Sequence, residues 1–252
     1  MLNIPKLNDD QIEGFRDSGY LVLKGAYGPD QGALLQKWAQ ELADRPEEPG
    51  KHWVYHETSL KDGRSDLINR LENMTPFHDG YKELADSLIP SVGQLLGEDA
   101  VLFKDKINFK MSGGEGFKPH QDSQAGWETY AKYFINVMVC IDEATLENGC
   151  LQLAPRPAAE LVGKEWEPLT EEQTAAMDFQ PYPTVPGDII YFDSYAPHMS
   201  EPNLTDRSRR LYFATYNRLS EGDHLAAYYA DKLKNYPPDI ERQAGKEYVY
   251  RV

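Results

Sequence analysis

The sequence predicts a mainly β protein with flanking helices, built on an antiparallel barrel or jelly roll, and three observations predict it. From about residue 100 the chain breaks into short β-branched and aromatic runs, "AVLFKDKINFKM", "YFINVMVCID", "CLQLAP", "DIIYFDS" and "RLYFATYNRL". Turn signals, "ENG", "VPGD" and "EPN", separate them. Upstream, apolar residues recur at helical rather than alternating spacing. With 252 residues, 40% of them hydrophobic, the chain suffices for one substantial core, so a single domain over residues 1–252 is expected.

Residues 1–99 read as a helical N-terminal part. Asn8 or Asp9 can cap a short helix through "DQIEGFRDSG", Gly19 can stop it, and "YLVLKG" then reads as a strand. The segment "DQGALLQKWAQELADR" places Leu34, Leu35, Trp38 and Leu42 at helical spacing. Residues 46–75 hold a stretch rich in Pro, Gly and charge without clean periodicity, which reads as a loop or lid. In "GYKELADSLIPSVGQLLG", Pro90 is expected to break the segment into a helix pair. Residues 100–220 form the expected jelly-roll core, with "EWEPLTEEQTAAMDFQPYP" as an excursion between strands, and residues 221–252 a C-terminal extension.

A net charge of −15 argues against nucleic acid and against anionic lipid surfaces, which would repel the chain. No apolar run is long enough for a membrane span, and "MLNIPKLNDDQIEGF" has neither a basic nor an apolar leader region. Cys140 and Cys150 make no disulfide framework and no zinc spacing; they read as buried small hydrophobes in a reducing, cytoplasmic setting. The expected partner is a small molecule, and nothing in the sequence speaks to oligomeric state. Against the acidic background, "RSRR" at residues 207–210 suggests a site for a small anion.

The stretch "PHQDSQAGW" follows a glycine-rich "SGGEG" at the end of a strand-like run. Residues two apart at a strand end point the same way, so His120 and Asp122 can converge on one point in a barrel mouth. His198, just past "DIIYFD", can reach the same point from another strand. Two imidazoles and one carboxylate that leave adjacent positions open suit iron(II) binding a bidentate co-substrate and O2. Arg209, eleven residues after His198, could grip a carboxylate in a fork. Its neighbour Arg210 points the opposite way along a strand, and a register error of one would exchange the two.

Taken together, His120-x-Asp122, "ENGCLQLAP", the "VPGDIIYFDSYAPHMSEPN" block and Arg209 resemble the phytanoyl-CoA dioxygenase family of iron(II)- and 2-oxoglutarate-dependent oxygenases, over residues 8–220. The resemblance implies a double-stranded β-helix core, iron held by His120, Asp122 and His198, and 2-oxoglutarate held by Arg209 with help from Ser200. It also implies further co-substrate contacts from Lys104 and Asn108. Iron(II)- and 2-oxoglutarate-dependent halogenases lack the carboxylate ligand, so with the resemblance Asp122 implies hydroxylation, with 2-oxoglutarate and O2 converted to succinate and CO2 as the substrate gains a hydroxyl. The loop "APRPAAE" departs from the Pro-Gly-Ser-His common in the family, so the loop after Pro155 is expected to be shaped differently.

For the substrate, Trp127 and Tyr130 just after Asp122 offer aromatic faces for an ammonium. Arg70 and Asn73, in "INRLENMTPFH", could read an anionic end. A zwitterion satisfies both, and among the family's substrates 2-aminoethylphosphonate and its N-methylated relatives fit. Ectoine-like, amino-acid-like or acyl-CoA substrates, or a cupin-like metal-binding module without oxygenase chemistry, are the alternatives.

Overall fold

The computed structural model describes residues 2, 4 and 6–248, and no helix among them is long and apolar enough to cross a membrane. Five helices occur in it: α1 (Asp9–Ser18), α2 (Pro29–Ala43), α3 (Asp79–Leu96), α4 (Glu171–Thr174) and α5 (Leu225–Asn235). Of the eleven strands, three precede residue 100: β1 (Tyr20–Leu23), β2 (Trp53–Thr58) and β3 (Asp66–Glu72). The others are β4 (Ala100–Lys110), β5 (Phe117–His120), β6 (Phe134–Cys140), β7 (Leu151–Leu153), β8 (Gln180–Tyr182), β9 (Ile189–Asp193), β10 (His198–Ser200) and β11 (Arg209–Arg218).

Two antiparallel sheets face each other. One has the order β1-β9-β6-β11-β4-β3-β2 and the other β5-β10-β7-β8. The eight strands from β4 onward alternate between the sheets, apart from the β7–β8 hairpin, in double-stranded β-helix fashion. Strand alternation then sorts the side chains. On the larger sheet Ile107, Phe109, Val137, Val139, Tyr191, Tyr212 and Ala214 pack outward against Leu35, Leu42, Leu84, Leu88 and Val92 of α2 and α3. The opposite parity, including Met138, Ile190, Phe192, Leu211 and Phe213, meets Leu151 and Leu153 inside the barrel.

α1 begins with the expected capping box, in which Asn8 and Gln11 exchange side-chain to backbone hydrogen bonds, and Gly19 closes it. Two expectations from the N-terminal part fail. Pro90 lies inside a continuous α3 rather than between two helices. Leu84, Leu88, Val92 and Leu95 form one buried stripe across it, and this burial outweighs the roughly 3 kcal/mol that an interior proline costs. Residues 46–75, expected as a lid, instead contain the β2–β3 hairpin, which extends the large sheet beyond β4. Trp53 and Tyr55 are buried against Phe103, Tyr228 and Tyr229, so tertiary packing supplies the strand character that local composition hides.

Candidate metal centre and its two chambers

β5 and β10 are antiparallel neighbours, and their register sets His198 directly across from His120, with ring centroids 4.2 Å apart. Asp122 stands just beyond β5, at the start of a 3-10 turn over Asp122–Ala125 that swings its carboxylate back toward both rings. His120 Nε2 lies 4.0 Å from Asp122 Oδ1, and His198 Nε2 lies 3.8 Å from Asp122 Oδ2. One donor atom from each residue falls within 4.8 Å of the others, a triangle that a metal with bonds of about 2.1 Å can close after small rotations. Gly116, in the loop leading to β5, permits this pairing: a Cβ there would lie 2.5 Å from the Ser200 carbonyl oxygen.

Each imidazole is held in one tautomer. His120 Nδ1–H donates to the Lys118 carbonyl at 2.7 Å and His198 Nδ1–H to the Ala196 carbonyl at 3.0 Å, which leaves both Nε2 lone pairs facing Asp122. Burial, then the neighbouring His198, pushes His120 down to about 3, and burial also lowers His198. Both rings are therefore neutral donors near neutral pH. Burial alone would raise the Asp122 carboxyl, but His198, Lys104 and Lys106 outweigh it and hold it below its ordinary value. Asn136 Nδ2 donates to Asp122 Oδ2 at 2.8 Å, and Thr215 Oγ1 donates to Asn136 Oδ1 at 2.6 Å. This Thr215–Asn136–Asp122 chain escaped the sequence reading, since β6 and β11 deliver its parts from distant positions.

Behind the triad lies an inner chamber whose polar lining includes Asn108, Ser200 and Arg209. Arg209 is 2% exposed, donates from one terminal nitrogen to the Gly149 carbonyl, and keeps a buried Nε without a hydrogen-bond partner. Among the described residues no carboxylate pairs with it, and Asn108 Oδ1 is likewise unpartnered. Ser200 Oγ accepts from Lys110 Nζ at 2.7 Å, which leaves the serine proton available to donate. Burial, then adjacent Arg209, pushes Lys110 down to about 6. Arg210 points out of the barrel and pairs with Asp142 at 2.6 Å, so the parity expected for the two arginines holds.

In front of the triad opens an outer cleft of about 560 Å³. Trp127, Tyr130, Arg70 and Lys104 line it, as do Asp231 and Lys232 from α5. Lys104, expected beside the co-substrate, belongs to this outer cleft and not to the inner chamber. Its Nζ covers the face of Trp127 at 3.8 Å from the ring centroid, the face anticipated for a substrate ammonium. Tyr130 donates its hydroxyl to Asp231 at 2.8 Å. Arg70 is paired with Glu72 at 2.9 Å, and Glu72 also takes Lys232 at 2.6 Å. Asn73 is not among the lining residues; it turns the chain after β3 with φ 56° and gives its N–H to the Tyr229 hydroxyl. Lys106 lines both chambers and Lys110 backs the inner one, and neither was singled out from the sequence. The available signal was parity, since Lys104, Lys106, Asn108 and Lys110 alternate along β4 and share its inward face.

Known proteins resemble this chain along nearly all its length. It is 42% identical to the 2-aminoethylphosphonate dioxygenase of uncultured bacterium HF130_AEPn_1, covering 95% of this chain and 92% of that protein. It is 35% identical to the methylphosphonate hydroxylase of Gimesia maris, covering 91% and 88%. The crystal structure of EctD from S. alaskensis with 2-oxoglutarate and 5-hydroxyectoine superposes with a TM-score of 0.73 at 24% identity, over 85% of this chain and 77% of that one, which shows a shared fold. The family model described as phytanoyl-CoA dioxygenase matches residues 15–211, and with that span and those relatives the chain belongs to the phytanoyl-CoA dioxygenase family.

Proposed function

We propose that this protein is an iron(II)- and 2-oxoglutarate-dependent hydroxylase of small organophosphonates of the 2-aminoethylphosphonate type. The observation that carries the reading is one arrangement: two neutral imidazoles and a carboxylate converge on one side of a cavity, next to a buried guanidinium that lacks an anion. The donor set fits iron(II), and the orphaned Arg209 Nε fits the far carboxylate of a dicarboxylic keto acid. The phosphonate class is supported by the two relatives named for acting on phosphonates.

Bound iron(II) with 2-oxoglutarate supplies the oxidising chemistry, in which O2 and the keto acid yield succinate, CO2 and a hydroxyl in place of a substrate C–H hydrogen. The chain's own residues bind and orient. His120, Asp122 and His198 would hold the metal, with Asn136 aiming the carboxylate. Arg209 receives the co-substrate's distal carboxylate, assisted by the free Ser200 proton and the Asn108 amide. Phe192, Leu211 and Phe213 keep that chamber dry, which strengthens the charge pairing there.

The test is spectroscopic, then chemical. Protein under nitrogen with iron(II) and 2-oxoglutarate is expected to develop the weak visible band of the chelated keto acid, and His198→Ala to abolish it. Under air, succinate release is expected to rise several-fold with 2-aminoethylphosphonate or methylphosphonate. A missing band refutes the oxygenase reading and leaves a cupin-like metal module. A normal band with no phosphonate-stimulated succinate refutes the phosphonate class alone.

A further inference from the structure

We infer that Lys104 and Lys106 together form the seat for the doubly charged end of the substrate, and that this seat makes the protein selective for phosphonates over singly charged analogues. The inference rests on the phosphonate-hydroxylase reading and specifies which residues enforce it. Four cationic side chains reach the outer cleft, and they divide into two kinds. Arg70 and Lys232 are neutralised by Glu72, at 2.9 and 2.6 Å. Lys104 and Lys106 have no carboxylate at ion-pair distance among the described residues. Their ammonium groups lie over ring faces, Lys104 over Trp127 at 3.8 Å and Tyr228 at 5.7 Å, and Lys106 over Phe213 at 5.4 Å.

Lys104 is 8% exposed, and a buried ammonium without an anion is costly, more so with a second cation beside it. Burial and then Lys106 push it well below the usual lysine range, against the weaker opposing pull of Asp122 and Glu72. On β4 the two lysines are two residues apart on one face, a separation of about 6.7 Å that two flexible stems can close around one tetrahedral group. Lys106 borders both chambers, so an anion held by the pair lies at the boundary with the triad and points its attached carbon toward His120, Asp122 and His198. A dianion engages both ammonium groups. A sulfonate or carboxylate has one charge for the two.

Calorimetry on anaerobic protein loaded with iron(II) and 2-oxoglutarate tests this without turnover. Lys104→Met, which keeps the stem, and Lys106→Gln are each expected to weaken 2-aminoethylphosphonate binding roughly tenfold or more, the loss of one charge-assisted contact. Co-substrate affinity, read from the visible band, is expected to stay within about twofold, because Arg209 and Ser200 are intact. Wild-type protein is expected to bind 2-aminoethanesulfonate at least about tenfold more weakly than the phosphonate, and this comparison stands even if a variant fails to fold. Phosphonate affinity unchanged in both variants, or sulfonate bound as tightly by wild type, overturns the seat. If wild type turns phosphonates over while the variants bind normally, the seat alone falls. If wild type binds no phosphonate despite a normal band, seat and phosphonate reading fall together.

Discussion

Asn136→Ala removes one buried amide, and its effect on iron can be worked from the structure. Asn136 is 2% exposed and gives Asp122 Oδ2 a hydrogen bond of 2.8 Å. A hydrogen bond to a buried charged acceptor contributes about 1.5–3 kcal/mol, and loss of an outer partner of a metal ligand typically costs about 10- to 100-fold in metal affinity. The two ranges agree. Thr215 acts on Asp122 only through Asn136, by the 2.6 Å bond from its hydroxyl. Thr215→Val therefore loses a neutral contact of about 0.5–1.5 kcal/mol, and should cost roughly 2- to 10-fold. The double variant should bind iron no more weakly than Asn136→Ala within about twofold, because the second change removes a partner of a group already gone. The assay is anaerobic iron(II) titration at saturating 2-oxoglutarate, read by the visible band, with thermal unfolding of metal-free protein to check the fold. Iron affinity of Asn136→Ala within twofold of wild type, or full additivity of the two changes, would refute the relay.

Three further outcomes are expected. Arg209→Met should weaken 2-oxoglutarate binding on the order of 100-fold, a buried charge pairing lost, whereas Arg210→Ala, which removes the pair with Asp142 and a bond to Gln40 outside the barrel, should leave that affinity within about twofold; the reverse result would mean that the parity of β11 is misassigned. Glu72 titrates near 2 in the fold against an ordinary 4.5, because Lys232 and Arg70 overcome its burial, so it contributes up to about 3 kcal/mol above pH 4.5 that disappears as pH falls toward 2. Urea midpoints across this window should fall less steeply for Glu72→Gln, and an equal slope would count against the pairing. Gly149→Ala forces an alanine to φ 76° and drives its Cβ into the Glu201 carbonyl, so the melting temperature should drop about 5 °C or more and 2-oxoglutarate affinity should fall as the Gly149 carbonyl leaves Arg209; an unchanged melting curve would refute this.

The legible features share one property: period-two or period-3.6 order within a short window. The runs from residue 100 onward alternated, so strands and facing side chains followed, including Arg209 in and Arg210 out. His120, Asp122 and His198 were legible because each lies at or just past a strand boundary, His120 closing β5, Asp122 two residues on, and His198 opening β10. The β2–β3 hairpin was not, since Gly50, Gly63 and the charges around them mask strands that exist only through pairing with β4 and packing against α5. Asn136 and Thr215 look like ordinary strand residues until β6 and β11 lie side by side. α5 is amphipathic on its face, but nothing local says that its Asp231 and Lys232 end at the mouth of the site.

The facing imidazoles of β5 and β10 have a last consequence. A slip of one residue in that pairing would turn one ring to the far side of its sheet, and a slip of two would carry it about 6.7 Å along the strand. Either misalignment dissolves the coordination triangle. An ion that binds across this seam thus selects the correctly zipped barrel from near misses, and hydrogen exchange in both strands should slow when iron is added.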